Sequence, residues 1–194
     1  MKQLGGYFLS RDELMAAGFK RIGENVKIHS RASIYGLENI EIGDSVRIDD
    51  FAVIIATGPL RIGNHVSIPN FCFLGAKHGI SIGNFVTLAP QVKIFSASDD
   101  YGGSRLTGVM VPPEMTGGDQ GMVVIEDHVL IGTGSVVLPK CRLGKGCSIG
   151  ALSLVKQSLA PWGIYAGIPA VRIRERKQDL LQYETKVKQC LNQI

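Results

Sequence analysis

The sequence predicts an all-β solenoid, a three-sided stack of about six coils carrying a short N-terminal helix, an extruded loop and a C-terminal helix. Three observations lead there. Ile-Gly-x-x-Val recurs at Ile22–Val26, Ile42–Val46, Ile62–Val66 and Ile82–Val86, 20 residues apart each time. Within each coil the aliphatic marks fall in two steps of six and one of eight, as in Ile42, Ile48, Ile54 and then Ile62. After an interruption the marks settle into strict sixes: Ile125, Ile131, Val137, Leu143, Ile149, Val155. Neither a 3.6-residue helical period nor simple strand alternation sustains this pattern. One short strand per side and one coil per 18–20 residues does.

Taken in order, residues 1–21 precede the repeat. Ser10-Arg11-Asp12-Glu13 has the form of a capping box, a hydroxyl followed three residues later by a carboxylate. It predicts a helix over about 10–17, ended by Gly18 and packed on the first coil, whose edge is otherwise unpaired backbone. Coils then run from Ile22 to about Ala160, with n stacked beneath n+20 early and beneath n+18 late. Sides 34–41, 54–61 and 74–81 carry an enlarged corner, where Gly36, Gly58 and Gly79 turn the chain.

The interruption runs from Ala97 to about Met122. Ile82 and Ile125 are 43 residues apart where 18–20 are due, so some 23–25 residues leave the coil at one corner. A long excursion from a rigid scaffold has the form of a binding loop. Beyond the coils lie Gly167-Ile168-Pro169-Ala170 and a basic run, and residues 174–193 read as a helix from Leu180, Tyr183 or Glu184, Val187 and Leu191. The chain reads as one domain, 1–194.

Composition narrows the function classes. The net charge of +4 is mild and no basic run is interleaved with aromatics, which argues against nucleic acid. No stretch approaches the ~18 apolar residues of a membrane span, and residues 1–6 lack an apolar signal core; the expected location is cytoplasmic. Cys72, Cys141 and Cys147 each fall four residues after an aliphatic mark, at an offset otherwise filled by small core residues, and read as core fillers. No Cys-x-x-Cys pair exists and no histidines have zinc-site spacing, so no metal is expected.

The coils, the extruded loop and the ending Gly-Ala-Leu-Ser-Leu-Val (150–155) with Ala-Gly-Ile-Pro-Ala (166–170) resemble the hexapeptide-repeat acyltransferases. The likeness covers about residues 20–174. It implies a left-handed parallel β-helix, a homotrimer and acetyl-CoA or another short acyl-CoA as co-substrate. Phe-Leu-Ser-Arg-Asp-Glu-Leu (8–14), Ile-Asp-Asp-Phe (48–51) and Ser-Ala-Ser-Asp-Asp-Tyr (96–101) are similar to the branch that N-acylates nucleotide-linked amino sugars. That implies an amino-deoxy sugar acceptor on dTDP, made for surface polysaccharide. The O-acetylating branch carries a histidine near the start of its loop, whereas this chain has Ser98-Asp99-Asp100. A carboxylate with a reference pKa of about 4 is a poor base for a sugar hydroxyl, but suffices to orient a neutral amine.

Asp99, Asp100 and His78 are the catalytic candidates, and which of them handles the proton is open. His78 lies 20 residues before Ser98 and is expected to stack beneath it. Glu114, Tyr101, Arg105 and Asp50 are candidates for acceptor contacts. On the donor side, Thr133, between Gly132 and Gly134, stacks under Ala151, which Leu152 and Ser153 follow, with Pro169 a further 18 residues on from Ala151. This wall of small residues suits a pantetheine arm, and Thr133 or the Gly132 and Gly134 amides are candidates to hold the thioester oxygen. Lys156, Arg172 and Arg174 are candidates for CoA phosphates. The alternatives are an O-acetyltransferase acting on a sugar hydroxyl and a non-catalytic β-helix scaffold.

Overall fold

The computed structural model describes residues 4–191. Short strands recur three to a coil and form three parallel faces of a β-solenoid with about seven turns. The first face stacks Arg21–Ile22, Ile40–Ile42, Leu60–Ile62, Ile80–Ile82, Val123–Ile125 and Arg142–Leu143. The second stacks Lys27–Ile28, Arg47–Ile48, Ser67–Ile68, Thr87–Leu88, Leu130–Ile131 and Ser148–Ile149, then two terminal strands. The third stacks Ser33–Tyr35, Val53–Ile55, Phe73–Gly75, Lys93–Phe95, Val136–Val137 and Leu154–Val155.

The register follows the aliphatic marks. Ile42 pairs Ile62, Ile62 pairs Ile82, and Ile82 pairs Ile125 across the extrusion. Because side chains alternate along a strand, the marks all point inward, and Ile48, Ile54, Ile68, Leu74 and Ile94 are fully buried. Each such side chain contributes roughly 1.5–3 kcal/mol by leaving water. Cys72, Cys141 and Cys147 are buried among them, as expected. Burial raises all three thiols, Cys72 to about 11 and Cys147 to about 12.

The C-terminal end differs from the expected plan. Gly163–Ala166 adds a seventh rung to the second face, and Val171–Glu175 turns back on it antiparallel. The C-terminal helix, α2 (Leu180–Leu191), therefore starts later than residue 174, because the hairpin takes the chain first. The last two positions of the expected helix, 192–193, and the Leu191 side chain lie outside the described residues. The N-terminal helix, α1 (Arg11–Ala16), has its capping box: Ser10 Oγ accepts from Glu13 N, and Ser10 N donates to Glu13 Oε2 at 2.7 Å. Arg11 fastens it to the first coil through the Gly23 carbonyl and Glu24.

The corners hold the least expected feature. Phe51, Phe71, His65, Phe85, His128 and Trp162 all sit at positive φ, between 55° and 62°, a region costly for bulky residues. Stacking offsets that cost. Phe51 lies 5.3 Å from Phe71, and His65, Phe85, His128 and Trp162 form a second column with centroids 4.6, 5.4 and 6.4 Å apart. Beside this column runs a side-chain ladder in which Asp44 N donates to Asn64 Oδ1, Asn64 N to Asn84 Oδ1 and Asn84 N to Asp127 Oδ1, at 2.7–2.8 Å. His128 also meets Glu184 of α2 at 2.9 Å, which ties the helix to the column.

Candidate active site

The loop leaves the third face after Phe95, whose pairing with Gly75 is the last rung in register. Beyond it Ala97 bridges Gln120 antiparallel, and Ser98 N donates to Asp119 O at 2.8 Å. The expected stacking of Ser98 on His78 is therefore not found: the chain has already turned into the loop's own ribbon. The residue bonded to His78 is Ser96, whose hydroxyl accepts from His78 N at 2.9 Å. The His78 side chain is exposed, and the His78 imidazole lines neither of the recesses formed by the loop.

Those recesses share two residues, Ser98 and Asp99. One, of about 570 Å³, adds Asp100, Tyr101, Ser104 and Leu138. The other, of about 350 Å³, adds Lys77, Val109, Val111 and Gln120. Asp99 is exposed, and its carboxylate has no hydrogen-bond partner among the described residues. Asp100 is the opposite case. Its carboxylate accepts from Ser104 Oγ at 2.5 Å and from the N–H groups of Gly102 and Arg105 at 2.8 Å. The Ser104 hydroxyl and then the Gly102 N–H hold its carboxyl below the usual carboxylate range. Asp100 thus organises the loop entrance, and the neighbouring Asp99 carboxylate takes no part in those bonds.

The other acceptor candidates separate as well. Tyr101 lines the larger recess. Arg105 turns into the loop, its Nη1 donating to Glu114 O at 3.3 Å, and Glu114 lies exposed on a short turn outside both recesses. Asp50 is paired with Arg31 at 2.8 Å, rungs below at another corner. Lys77 was not among the sequence candidates. Its signal was its place beside His78, at the corner the loop leaves.

The donor wall stands at the corner between the second and third faces. Thr133 and Ala151 stack as expected, since Leu130 pairs Ser148 and Leu152 N donates to Thr133 O. A Cβ on Gly132 would lie 2.5 Å from Ala151 N, so the rungs meet there without room for a side chain. Buried Ser135 and Ser153 hold the wall from inside, each hydroxyl donating to Gly150 O, at 2.9 and 2.7 Å. Two expectations are corrected. The Gly132 and Gly134 amides are spent on Ile149 O and Pro90 O and cannot serve an oxyanion. Among the described residues the unspent donors are the N–H groups of Thr133 and Ala151 and the Thr133 hydroxyl. Pro169 is not the next rung either: Ile149 pairs Tyr165, a step of 16 rather than 18, so Gly167 arrives beside Ser153 instead. Leu152 and Arg174 are exposed and Arg172 is paired with Glu175 at 2.6 Å, whereas Lys156, also exposed, follows Val155 one rung above Leu138 and so stands at the corner of the loop mouth, not of the donor wall.

Loop mouth and donor wall lie at the two corners that bound the third face, so one chain does not bring them together. That face differs from its neighbours. The first presents Arg21, Glu41, Arg61, Ser81, Val124 and Arg142 outward and the second Lys27, Arg47, Ser67, Thr87, Leu130 and Ser148, whereas the third presents Ser33, Tyr35, Val53, Ile55, Phe73, Lys93, Phe95, Val136 and Leu154, apolar but for Ser33 and Lys93. No cluster of three metal-ligating side chains occurs among the described residues, and no described helix is long and apolar enough to cross a membrane.

Residues 122–157 match the bacterial transferase hexapeptide family (six repeats). The dTDP-4-amino-4,6-dideoxy-D-glucose acyltransferase of Escherichia coli is 40% identical over 182 residues, which are 93% of this chain and 95% of that protein. AntD, an N-acyltransferase from Bacillus cereus solved with dTDP and 3-hydroxybutyryl-CoA, is similar at a TM-score of 0.92 and 34% identity, over 97% of this chain and 100% of that one. A variant of AntD solved with dTDP-4-amino-4,6-dideoxyglucose and coenzyme A gives a TM-score of 0.80 at 34% identity, over 94% and 97% of the two chains. With such a relative along nearly its whole length, the chain belongs to the hexapeptide-repeat acyltransferases.

Proposed function

We propose that this enzyme transfers an acyl group from acyl-CoA to the amine of a dTDP-linked 4-amino-4,6-dideoxy sugar, at sites shared between protomers of a homotrimer. The observation that carries the chemistry is the unspent carboxylate of Asp99, on the wall of both loop recesses. The neutral amine attacks the thioester carbonyl, forming the C–N bond. Asp99 takes the proton that nitrogen then sheds. The tetrahedral oxyanion rests on the donors around Thr133 until the C–S bond breaks, and the CoA thiolate leaves and is protonated.

The apolar third face supports the assembly. A ring closed on one face is a heterologous, three-fold contact. It sets the corner that opens the face in one protomer against the corner that closes it in the next, so the Thr133 wall of one meets the Asp99 mouth of another. Buried, reduced cysteines and a CoA donor suit the cytoplasm.

The test is incubation of the purified enzyme with acetyl-CoA or 3-hydroxybutyryl-CoA and dTDP-4-amino-4,6-dideoxyglucose, reading thiol release and product mass. The expected product is the amide, with dTDP-glucose unreactive. Acylation of a sugar hydroxyl with the amine left free would contradict the reading.

A further inference from the structure

Ala56, Ala76 and Ser96 occupy the same inner position of the third corner on successive coils, following the paired residues Ile55, Gly75 and Phe95, and all three are fully buried. On the coils below, the corner carbonyl takes a donor directly: Gly58 N donates to Ala76 O at 2.8 Å, and Asn39 Nδ2 to Ala56 O at 2.8 Å. One rung up the equivalent donor is His78 N and the equivalent acceptor is Ser96 O. That carbonyl, however, receives Gly121 N at 3.0 Å, where the loop rejoins the coil. The Ser96 hydroxyl supplies the missing acceptor. It takes the His78 N–H at 2.9 Å and passes its own proton to Gly75 O at 2.9 Å. With alanine here, as on the two lower coils, the His78 N–H has no acceptor at this corner.

We propose that Ser96 is a positioning residue for acyl transfer. Its hydroxyl couples the root of the loop to the Lys77–His78 segment and thereby sets where Asp99 and Lys77 stand across the smaller recess. One oxygen holds both sides. Asp99 follows Ser96 by three residues, and Lys77 immediately precedes His78. The inference rests on reading that recess as the acceptor site; the donor wall lies at a different corner, held by its own serines.

The experiment compares the parent with Ser96→Ala, Ser96→Cys and Ser96→Thr, using acetyl-CoA and dTDP-4-amino-4,6-dideoxyglucose, with hydrogen exchange at the His78 amide. Misplacement by ~1 Å costs up to about 10²-fold in rate. Ser96→Ala is therefore expected to lower kcat by about 10-fold or more and to raise KM for the amino sugar, with KM for acetyl-CoA held within about two-fold. Exchange at the His78 amide should quicken while that at Gly58 stays parental. Ser96→Cys, close in size but a weak acceptor, should behave the same way, and Ser96→Thr should restore the parental values. Parental kcat and KM in Ser96→Cys would overturn the inference, as would a loss that tracks folded protein with both KM values parental. A parent enzyme that leaves the amino sugar unacylated refutes the substrate reading instead, and exchange at His78 still reports on the Ser96 bond.

Discussion

A Cβ built on Gly118 would lie 1.9 Å from the carbonyl oxygen of Ser98. The two strands of the loop root cross there, backbone against backbone, and Gly118 has φ +133°. Gly118→Ala is therefore predicted to push the Ser98–Asp99 segment outward. Activity should fall by about 10²-fold, with secondary structure by circular dichroism unchanged because the coils do not depend on the loop. Parental activity in this variant would show that the mouth need not be so tight.

Asp100 and Asp99 should separate by pH and by substitution. The Asp100 carboxyl is held below 3.8, so what it contributes to loop order is present above that value and is lost as pH falls through its lower, folded value. Asp100→Asn should raise KM for the amino sugar and loosen the loop, detected by faster proteolysis between residues 101 and 117. Asp99→Asn should leave proteolysis unchanged and lower kcat by more than ~10²-fold, the low end for a positioned acid–base group. The reverse assignment of these two phenotypes would exchange their roles.

Much of this architecture is legible in the sequence for a physical reason. Aliphatic residues must point inward on every rung, so their spacing records the coil, and the pairings of Ile22, Ile42, Ile62 and Ile82 follow from counting. Counting fails where something other than the core sets the path. Ser98 misses His78 because the loop pairs with itself from Ala97 onward. Pro169 misses the donor wall because the terminal turn is two residues shorter than its predecessors. Asp99 and Asp100 are alike in sequence, and only the loop's local turn decides which one faces inward to Ser104. The columns through Phe51 and His65 run against propensity, since bulky residues at positive φ are stabilised only by identical corners above and below. The His128–Glu184 pair joins residues 56 apart that share no motif.

The cysteines make a prediction about alkaline stability. Burial lifts Cys72 from 9.0 to about 11 and Cys147 from 9.0 to about 12, so the folded thiols stay protonated while those of an unfolded chain ionise. The folded state then holds more protons, and its stability falls as pH rises between the two values. Denaturant midpoints should be steady below pH 9 and decline above it, and a double Cys72→Ala, Cys147→Ala variant should decline less. At pH 8 a thiol reagent should modify Cys190, which is exposed, and spare the three buried thiols.

The apolar third face predicts a soluble but dissociated variant. Phe73 and Phe95 pack ring to ring at 5.2 Å on its outer side. Phe73→Asp or Val136→Asp would place a charge at the centre of the proposed contact without touching the core. Sedimentation should shift from trimer toward monomer, and activity should fall with it. A variant that stays trimeric would move the interface to another face.

The claim that each site is built from two chains is tested most directly by mixing two inactive enzymes. Asp99→Asn lacks the proton acceptor, and Ala151→Trp blocks the donor wall. In a mixed ring, the mouth of a wall-blocked chain meets the intact wall of an Asp99→Asn chain. Statistical mixing of equal amounts gives about one working site in four. Refolding the two together should therefore recover about a quarter of the parental rate, while each alone stays inactive. Co-refolded trimers no more active than either variant would contradict a shared site.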